Sequence, residues 1–173
     1  NGVDFDIYKP ISKFKSRKKL NLNKNSKYIL FIGDKKNPRK NFALLDSSLN
    51  YLKKHKINLI EVDYPVSSDK IVSLLNATDV LVLTSLFEGS PNIVKEALAC
   101  NCRVVSVDVG DVKEHINKIE GCYISKYKKS DLCKKIINSV NYNYDYNSRQ
   151  KIDYLEINKI SKKIIKIYSS ILN

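Results

Sequence analysis

Short, largely apolar runs separated by longer amphipathic stretches follow one another along most of this chain. Five of these runs have four to six residues and are rich in β-branched or aromatic side chains, which favours strands over helices. The predicted strands are Tyr28–Ile32, Ile57–Val62, Asp79–Thr84, Arg103–Val107 and Cys122–Ser125. In the third run, every residue between the polar ends is apolar, which is typical of a strand with both faces buried.

The stretches between the strands carry apolar residues at helical spacing. They predict helices over residues 41–54, 67–76, 91–100 and 130–140, with start signals at Ser67 and at Ser130–Asp131, and a shorter helix around Glu114 and Ile116. Strands that alternate with helices of this length form parallel βαβ units with right-handed crossovers. The predicted fold class is therefore α/β, a Rossmann-like three-layer α/β/α domain with a mainly parallel sheet.

Both ends of the chain lie outside this alternation. Residues 1–27 are expected to form an extended linker, and isoleucines at helical spacing predict one last helix over residues 148–173. Between the last two predicted helices, Asn141–Asn147 alternates asparagine with tyrosine. We expect an ordered loop whose tyrosine rings pack on the surface, with a saccharide platform as the alternative.

The turn after the third predicted strand is the strongest candidate for chemistry. Gly89 permits a tight turn, Ser90 is a good N-cap, and Pro91 stands where a first helical residue is often proline. Free N–H groups and the helix dipole make such a helix start a seat for phosphate. Glu88 precedes this helix and Glu96 lies inside it, so that a polyol bound beside the phosphate could use both carboxylates.

Several other loops are expected at the same edge of the sheet. Gly33, the Tyr64 loop, the segment from Glu88 to Asn92 and Gly110 all follow the carboxyl ends of predicted strands. Ligands of open parallel sheets bind at that edge. The convergence predicts a single ligand site.

The glutamate pair also carries a resemblance to a known family. Glu88 and Glu96, with seven residues between them in Phe-Glu-Gly-Ser-Pro-Asn-Ile-Val-Lys-Glu-Ala-Leu-Ala, resemble the Glu-x7-Glu signature of the family 4 retaining glycosyltransferases. Other segments match in order: Asn1–Asp4, Phe31–Gly33 with Pro38–Lys40, Asn76–Asp79, and Val104–Gly110 with Glu114. The matches cover most of residues 1–117. The resemblance implies one half of a GT-B fold, which is built from two Rossmann-like domains.

The resemblance implies roles toward a nucleotide-diphosphate sugar. Glu96 would hold the ribose hydroxyls and Glu88 those of the transferred sugar, while Lys40 and backbone N–H groups would stabilise the departing diphosphate. Tyr64 and Val66 would lie against the base, although a packing role is equally plausible for both. The candidate catalytic residues are Glu88 and Lys40, and the candidate substrate-binding residues are Gly33, Arg39, Lys40, Tyr64, Val66, Glu88, Gly89, Ser90, Pro91, Asn92 and Glu96.

One position departs from the family pattern. A second basic residue often follows the glycine of the first loop, but Asp34 follows Gly33 here. Lys35, Lys36 or Arg39 could replace the absent charge, and the sequence does not choose among them.

Composition adds a preference for anionic partners. The formal net charge is +13, and Asp34 is the only acid between Lys13 and Lys40. This balance favours nucleotides or acidic lipid surfaces. No zinc-finger spacing and no pattern of interleaved aromatic residues accompanies the charge, so a nucleic-acid partner is not expected.

No metal or cofactor is expected. The four cysteines, Cys100, Cys102, Cys122 and Cys133, lack the spacing of a zinc site and predict buried, reduced thiols. His55 and His115 are isolated in the sequence. The resemblance implies metal-independent transfer, with the nucleotide sugar as a substrate rather than a cofactor.

We therefore expect residues 1–173 to be the C-terminal, donor-binding domain of a hexosyltransferase of polysaccharide biosynthesis. Its partners would be a saccharide or lipid-linked acceptor and an N-terminal acceptor domain, without which the domain should transfer nothing. The sequence has no membrane-spanning run, so a cytoplasmic location is predicted, with peripheral contact at the inner face of the membrane left open. The alternatives are a non-catalytic GT-B-like binding module and a basic domain that binds nucleic acid or a membrane surface.

Overall fold

A computed structural model of the chain describes residues 1–144 and 146–172. Its strands are β1 (Lys27–Ile32), β2 (Ile57–Val62), β3 (Val80–Leu83), β4 (Arg103–Val107) and β5 (Tyr123–Ser125). They form one sheet in the order β2-β1-β3-β4-β5, and every neighbouring pair is parallel. The predicted parallel sheet is confirmed. The bounds of β2 and β4 match the prediction, β1 and β5 differ from it by one residue at the start, and β3 is one residue shorter at each end.

The helices connect these strands and cover both faces of the sheet. They are α1 (Lys13–Lys19), α2 (Phe42–Lys54), α3 (Ser68–Ala77), α4 (Asn92–Ala99), α5 (Val112–Ile116), α6 (Lys129–Val140), α7 (Ser148–Lys151) and α8 (Ile157–Leu172). Short 3₁₀ turns span Pro38–Lys40 and Asp153–Leu155. The α/β/α prediction is confirmed, although α6 begins at Lys129 and not at the expected cap of Ser130 and Asp131.

The sheet divides the core into two apolar layers. Successive residues of a strand point to opposite faces. Ile29 and Phe31 of β1 pack with residues of α2 and α6, whereas Leu30 and Ile32 pack with residues of α3 and α4. All four of these side chains are buried. The long apolar runs of the sequence therefore correspond to strands covered on both faces.

The prediction of an extended linker over residues 1–27 is wrong, because α1 lies inside this segment. Ser12 caps α1 by accepting a hydrogen bond from the N–H of Lys15. Arg17 is buried and donates to the carbonyls of Ala77 and Lys24 at 2.8 and 2.6 Å. Its other nitrogen pairs with Asp79 at 3.1 Å. These partners lie on other elements, so α1 depends on tertiary contacts that a local pattern does not show.

The prediction of one continuous helix over residues 148–173 is also wrong. The segment divides into α7, the 3₁₀ turn Asp153–Leu155 and α8, while residue 173 lies outside the described residues. Ile152 and Leu155 are buried against the core at the break between the helices. Beyond it, α8 exposes the apolar side chains Ile164, Ile165, Ile167, Tyr168 and Ile171 and carries lysines on its other face.

Parts of the asparagine–tyrosine segment pack as expected, while its Asp145 lies outside the described residues. The Tyr146 hydroxyl lies 3.2 Å from the sulfur of Cys122, and the Tyr142 hydroxyl donates to Glu120 at 2.8 Å. Tyr144, in contrast, is exposed. The surface-packing interpretation therefore holds for Tyr142 and Tyr146.

The four cysteines lie in the interior, as the sequence predicts. Cys100, Cys102, Cys122 and Cys133 are all buried and free. Across the described part of the chain, we find no helix that combines the length and apolar character needed to cross a membrane.

Candidate functional site

The strand order places one crevice at the carboxyl edge of the sheet. After β1 the chain moves outward to β2, and it then returns to β3 on the other side of β1. Ligands of sheets with this order bind at such a switch point, between the ends of β1 and β3. Gly33 directly follows β1, and Glu88 lies in the loop after β3. Both residues therefore border this crevice.

Lys40 enters the crevice across Gly33. Gly33 has φ +140°, and a Cβ atom at this position would lie 3.2 to 3.3 Å from three carbons of the Lys40 side chain. The glycine thus leaves room for the stem of the lysine. The Thr84 hydroxyl donates to the Lys40 carbonyl at 2.9 Å, which ties the end of β3 to the 3₁₀ turn Pro38–Lys40.

Glu88 is the acceptor at the centre of the crevice. Its carboxylate receives hydrogen bonds from Lys40 Nζ at 2.8 Å, Arg39 Nη1 at 2.6 Å and Ser85 Oγ at 2.9 Å. Burial acts to raise the pKa of Glu88, but the hydrogen bonds from Lys40 and Ser85, the Lys40 charge and the bond from Arg39 together lower it. Glu88 is therefore ionised at neutral pH and neutralises part of the positive charge around it.

The structure separates the three basic residues considered as replacements at Asp34. Arg39 is the one that reaches Glu88. Lys35 pairs instead with Glu61, at 2.8 Å, on the edge strand β2. Lys36 is exposed and contributes its backbone N–H to the Asp34 side chain at 2.8 Å. Arg39 is thus placed next to Lys40 at the crevice.

The start of α4 differs from the sequence prediction in two respects. The helix begins at Asn92, with Pro91 at the N-cap position, and no side chain of the described residues caps its first turn. Ser90 is not the cap, because its hydroxyl donates to Asp111 at 2.5 Å. The first N–H groups of a helix have no partner within it. In α4 the Val94 N–H donates to the Pro91 carbonyl at 3.2 Å, so the N–H groups of Asn92 and Ile93 are the ones available to an acceptor from outside, beside exposed Gly89 and Asn92.

Glu96 lies about one turn into α4, in a different environment from Glu88. Burial raises the pKa of its carboxyl, while the hydroxyl of Tyr8 acts in the opposite direction as a hydrogen-bond donor. Burial also raises the pKa of Tyr8 to about 12. Among the described residues, Glu96 forms no ion pair.

Tyr64 and Val66, in the loop after β2, have separate surroundings. Val66 is half-buried and packs against the larger apolar cluster. Tyr64 is exposed on one side, and burial raises the pKa of its hydroxyl, with smaller contributions from Glu96 and Glu88. Tyr64 therefore lies within electrostatic reach of both carboxylates of the glutamate pair.

A second group of polar residues lies beneath the 89–91 turn, and no sequence pattern points to it. Lys95 is 1% exposed and donates to the Ser90 hydroxyl, and Asp111 and His115 lie next to this pair. Lys95 lies in the middle of a predicted helix, and Asp111 lies in a loop from another βα unit. Only the fold brings them together.

The described residues show no grouping of three His, Cys, Asp or Glu side chains suited to a metal ion. What the crevice offers is positive charge from Arg39 and Lys40, the N–H groups of α4 and two carboxylates. Such a set suits an anionic group attached to hydroxyl-bearing rings.

Comparison with known proteins matches most of this sequence to one family. The family of glycosyl transferases group 1 matches residues 17–141 of the 173 residues. No curated protein matches the sequence.

Solved structures of low sequence identity share the fold. Sucrose-phosphate synthase from Thermosynechococcus elongatus superposes with a TM-score of 0.78 at 15% identity, over 99% of this chain and 51% of its own. For HepE from Anabaena in complex with UDP and glucose, the TM-score is 0.70 at 16% identity, over 98% of this chain and 55% of HepE. This chain therefore spans about half the length of these two proteins.

A third structure corresponds to a separate C-terminal domain. It is that of LpcC, a glycosyl transferase group 1 family protein from Francisella tularensis, with a TM-score of 0.64 at 17% identity. The match covers 94% of this chain and 98% of that domain. The prediction of one Rossmann-like half of a GT-B fold is confirmed by these likenesses.

Proposed function

This chain belongs to the glycosyl transferases group 1 family, and we propose that its crevice between β1 and β3 binds a nucleotide-diphosphate sugar. One observation carries the proposal. Arg39 and Lys40 converge on Glu88, within 2.6 and 2.8 Å, beside the uncapped start of α4. Two cations and a helix N-terminus at one switch point form a receptor for a diphosphate. HepE, a protein of the same fold, was crystallised with UDP-glucose.

In this proposal, Lys40 and Arg39 bind the diphosphate together with the N–H groups of Gly89, Ser90 and Asn92. The negative charge on the diphosphate grows as the bond to the sugar breaks. Fixed donors aimed at that charge stabilise the transition state more than the ground state, which lowers the barrier. Lys40 contributes directly to this electrostatic stabilisation, without a metal ion.

Glu88 and Glu96 bind different parts of the donor. Glu96 accepts hydrogen bonds from the ribose hydroxyls, and Glu88 accepts them from the transferred sugar. Glu88 also holds Arg39 and Lys40 in place before the donor arrives. When the diphosphate enters, it replaces the carboxylate as the partner of these cations, and Glu88 becomes free to meet the sugar. Tyr64, exposed beside both carboxylates, contacts the nucleoside.

A thermal-shift panel tests this proposal. Residues 1–173 are melted with millimolar UDP, GDP and ADP, and then with UDP-, GDP- and ADP-sugars. A ligand that binds only the folded state raises its stability by RT ln(1 + [L]/Kd). We expect one nucleoside diphosphate to raise the melting temperature and its sugar conjugate to raise it further. No shift with any of the six ligands would contradict the proposal.

We further propose that sugar transfer requires a second domain, which carries the site for a saccharide or lipid-linked acceptor. The chain spans about half the length of its structural relatives, and α8 presents an exposed apolar face that such a domain could cover. Bringing donor and acceptor together across a cleft supplies much of the rate in a two-substrate reaction. The same proposal includes retention of configuration at the sugar and a hexose donor. It also includes a role in polysaccharide biosynthesis and a cytoplasmic or peripheral membrane location.

A radiolabelled-donor assay tests the need for a second domain. Residues 1–173 should bind the donor and transfer nothing, whereas the chain extended at its N-terminus by the preceding coding sequence should transfer the sugar. Efficient transfer by residues 1–173 would contradict this part of the proposal. Donor binding without transfer by the extended chain would favour a non-catalytic binding module.

A further inference from the structure

The turn at residues 89–91 is held by a loop from the next βα unit. Gly110 has φ +54°, and a Cβ atom on it would come within 2.1 Å of the Gly89 carbonyl oxygen. The backbone N–H of Asp111 donates to the same carbonyl at 3.1 Å. The loop after β4 therefore touches the turn at its backbone, and only a glycine permits this approach.

The side chains of both segments continue this contact. The Ser90 hydroxyl donates to Asp111 Oδ2 at 2.5 Å and accepts a hydrogen bond from Lys95 Nζ. Lys95 also donates to the carbonyl of Asn1 at 3.1 Å, and its nitrogen lies 3.9 Å from Asp111 Oδ2. Ser90 is thus fixed between a cation and an anion, which determines the direction of its hydroxyl.

His115 approaches the same Asp111 oxygen, Oδ2. Nε2 of His115 lies 3.1 Å from Asp111 Oδ2, and Nδ1 of His115 lies 2.9 Å from the Tyr154 hydroxyl. Burial acts to raise the pKa of Asp111, but Ser90, His115 and the charge of Lys95 together lower it. The carboxylate is therefore ionised at neutral pH and remains a strong acceptor for Ser90.

A fully buried lysine is costly unless its charge is paired. Lys95 projects from α4 into a position where most neighbours on the helix are apolar and buried. A large apolar residue would fill this volume without any cost of desolvation. Among the described residues, the polar partners of the Lys95 ammonium are the Asn1 carbonyl, the Ser90 hydroxyl and the Asp111 carboxylate. These contacts hold the 89–91 turn and the N-terminal segment beside it.

We propose that Lys95 and Asp111 are positioning residues that act through Ser90 to fix the 89–91 turn for the diphosphate. The inference rests on the proposed function, because the turn matters only if its N–H groups and those of α4 receive phosphate. With Ser90 directed toward Asp111, its hydroxyl cannot cap α4, and the first N–H groups of the helix stay open to the ligand. Preorganised donors bind an anion without first paying for reorientation.

Calorimetric titration with two probes tests the proposal. The probes are UDP and inorganic pyrophosphate, which carries the diphosphate without a base. Ser90→Ala and Asp111→Asn should each weaken binding of both probes about tenfold, the size of one hydrogen bond to a charged group. Because both variants remove the same interaction, the double variant should bind no more weakly than the weaker single variant.

Uridine separates positioning from a general structural defect. It lacks phosphate, so its affinity, measured by ligand-observed NMR, should be the same for the single variants and for the wild type. Asp153→Asn is a matched control, because Asp153 also pairs with a lysine but is exposed and contacts neither Ser90 nor Lys95 among the described residues. This control should bind all three probes as the wild type does. Where its melting curve shows that it folds, Lys95→Met is a stronger test. It should weaken binding of UDP and pyrophosphate and leave the affinity for uridine unchanged.

The outcomes separate this inference from the proposed function. If the wild type binds neither pyrophosphate nor any of UDP, GDP and ADP, the proposed function fails. If the wild type binds them and Ser90→Ala and Asp111→Asn bind equally well, the positioning role is wrong. Additive losses in the double variant, or an equal loss of uridine binding, would also overturn it.

Discussion

Glu88 and Glu96 are eight positions apart in one motif, yet the fold gives their carboxylates opposite surroundings. Glu88 meets two cations and a hydroxyl, and its pKa is lowered despite burial. Glu96 meets the Tyr8 hydroxyl, and burial raises its pKa. The Glu88 carboxylate is paired with two cations, whereas the Glu96 carboxylate is a desolvated hydrogen-bond acceptor. Identical residues in one motif therefore have different chemistry, because their surroundings in the fold shift their pKa values in opposite directions.

The largest expected effect concerns the cations that surround only Glu88. Lys40→Glu should weaken UDP binding by about a hundredfold or more, because it replaces a phosphate donor by a charge that repels phosphate. Calorimetry measures the affinity. Lys54→Glu, at the end of α2 and exposed, makes the same change in net charge and should bind UDP normally. Comparable losses in the two variants would mean that overall charge, and not the crevice, attracts the nucleotide.

Glu96 should affect every ligand that contains ribose. Glu96→Gln is expected to weaken both UDP and UDP-glucose about tenfold, since an ionised acceptor for the ribose hydroxyls is lost. Because the pKa of Glu96 is raised, UDP affinity of the wild type should also fall as pH is lowered through that pKa, and the variant should lack this step. Glu120→Gln, which removes an exposed carboxylate bound to Tyr142, is the control. A pH profile unchanged by Glu96→Gln would remove Glu96 from the ribose site.

Glu88 should affect only the sugar. Glu88→Gln frees Arg39 and Lys40 from their carboxylate, so that UDP should bind as well as before or about threefold more tightly. The additional affinity of UDP-glucose over UDP should disappear. The measurement is the ratio of the two dissociation constants in the wild type and the variant. Equal losses of both ligands in the Glu88 and Glu96 variants would show that the two residues do not have separate roles.

The smallest effect concerns stability without a ligand. The folded pKa of Glu96 lies above its ordinary value of 4.5, so the folded state binds more protons than the unfolded state between these two values. Stability therefore falls as pH rises through this window. Glu96→Gln should raise the melting temperature at pH 7 by on the order of 2 °C and leave it nearly unchanged below pH 4.5. A lower melting temperature at pH 7 would mean that the Tyr8 hydrogen bond outweighs the cost of burial.

The sheet was predictable because its signal is local. A strand covered on both faces must be apolar at consecutive positions, and the residues from Val80 to Leu83 show this directly. The same is true of the crevice as a whole. In a parallel sheet every loop that follows a strand reaches the same edge, so Gly33, Lys40 and Glu88 could be expected together before any distance was known.

Other parts of the site were not predictable, because their partners are distant in the sequence. Ser90 has the composition of an N-cap, but an acceptor on the loop after β4 redirects its hydroxyl. Three basic residues could follow Gly33 into the crevice, and only the path of the 3₁₀ turn Pro38–Lys40 selects Arg39. Local sequence periodicity indicates neither the direction of the Ser90 hydroxyl nor the selection of Arg39.

The sequence by itself determined the order of strands and helices, the edge at which ligands bind and the residue types available there. Hydrophobic burial and turn chemistry act on neighbouring residues, and a linear pattern records them. The tertiary structure alone decided the helix around buried Arg17, the break before α8, the buried position of Lys95 and the opposite pKa shifts of Glu88 and Glu96. Each depends on desolvation and on charges from distant elements, and these are set only when the chain is folded.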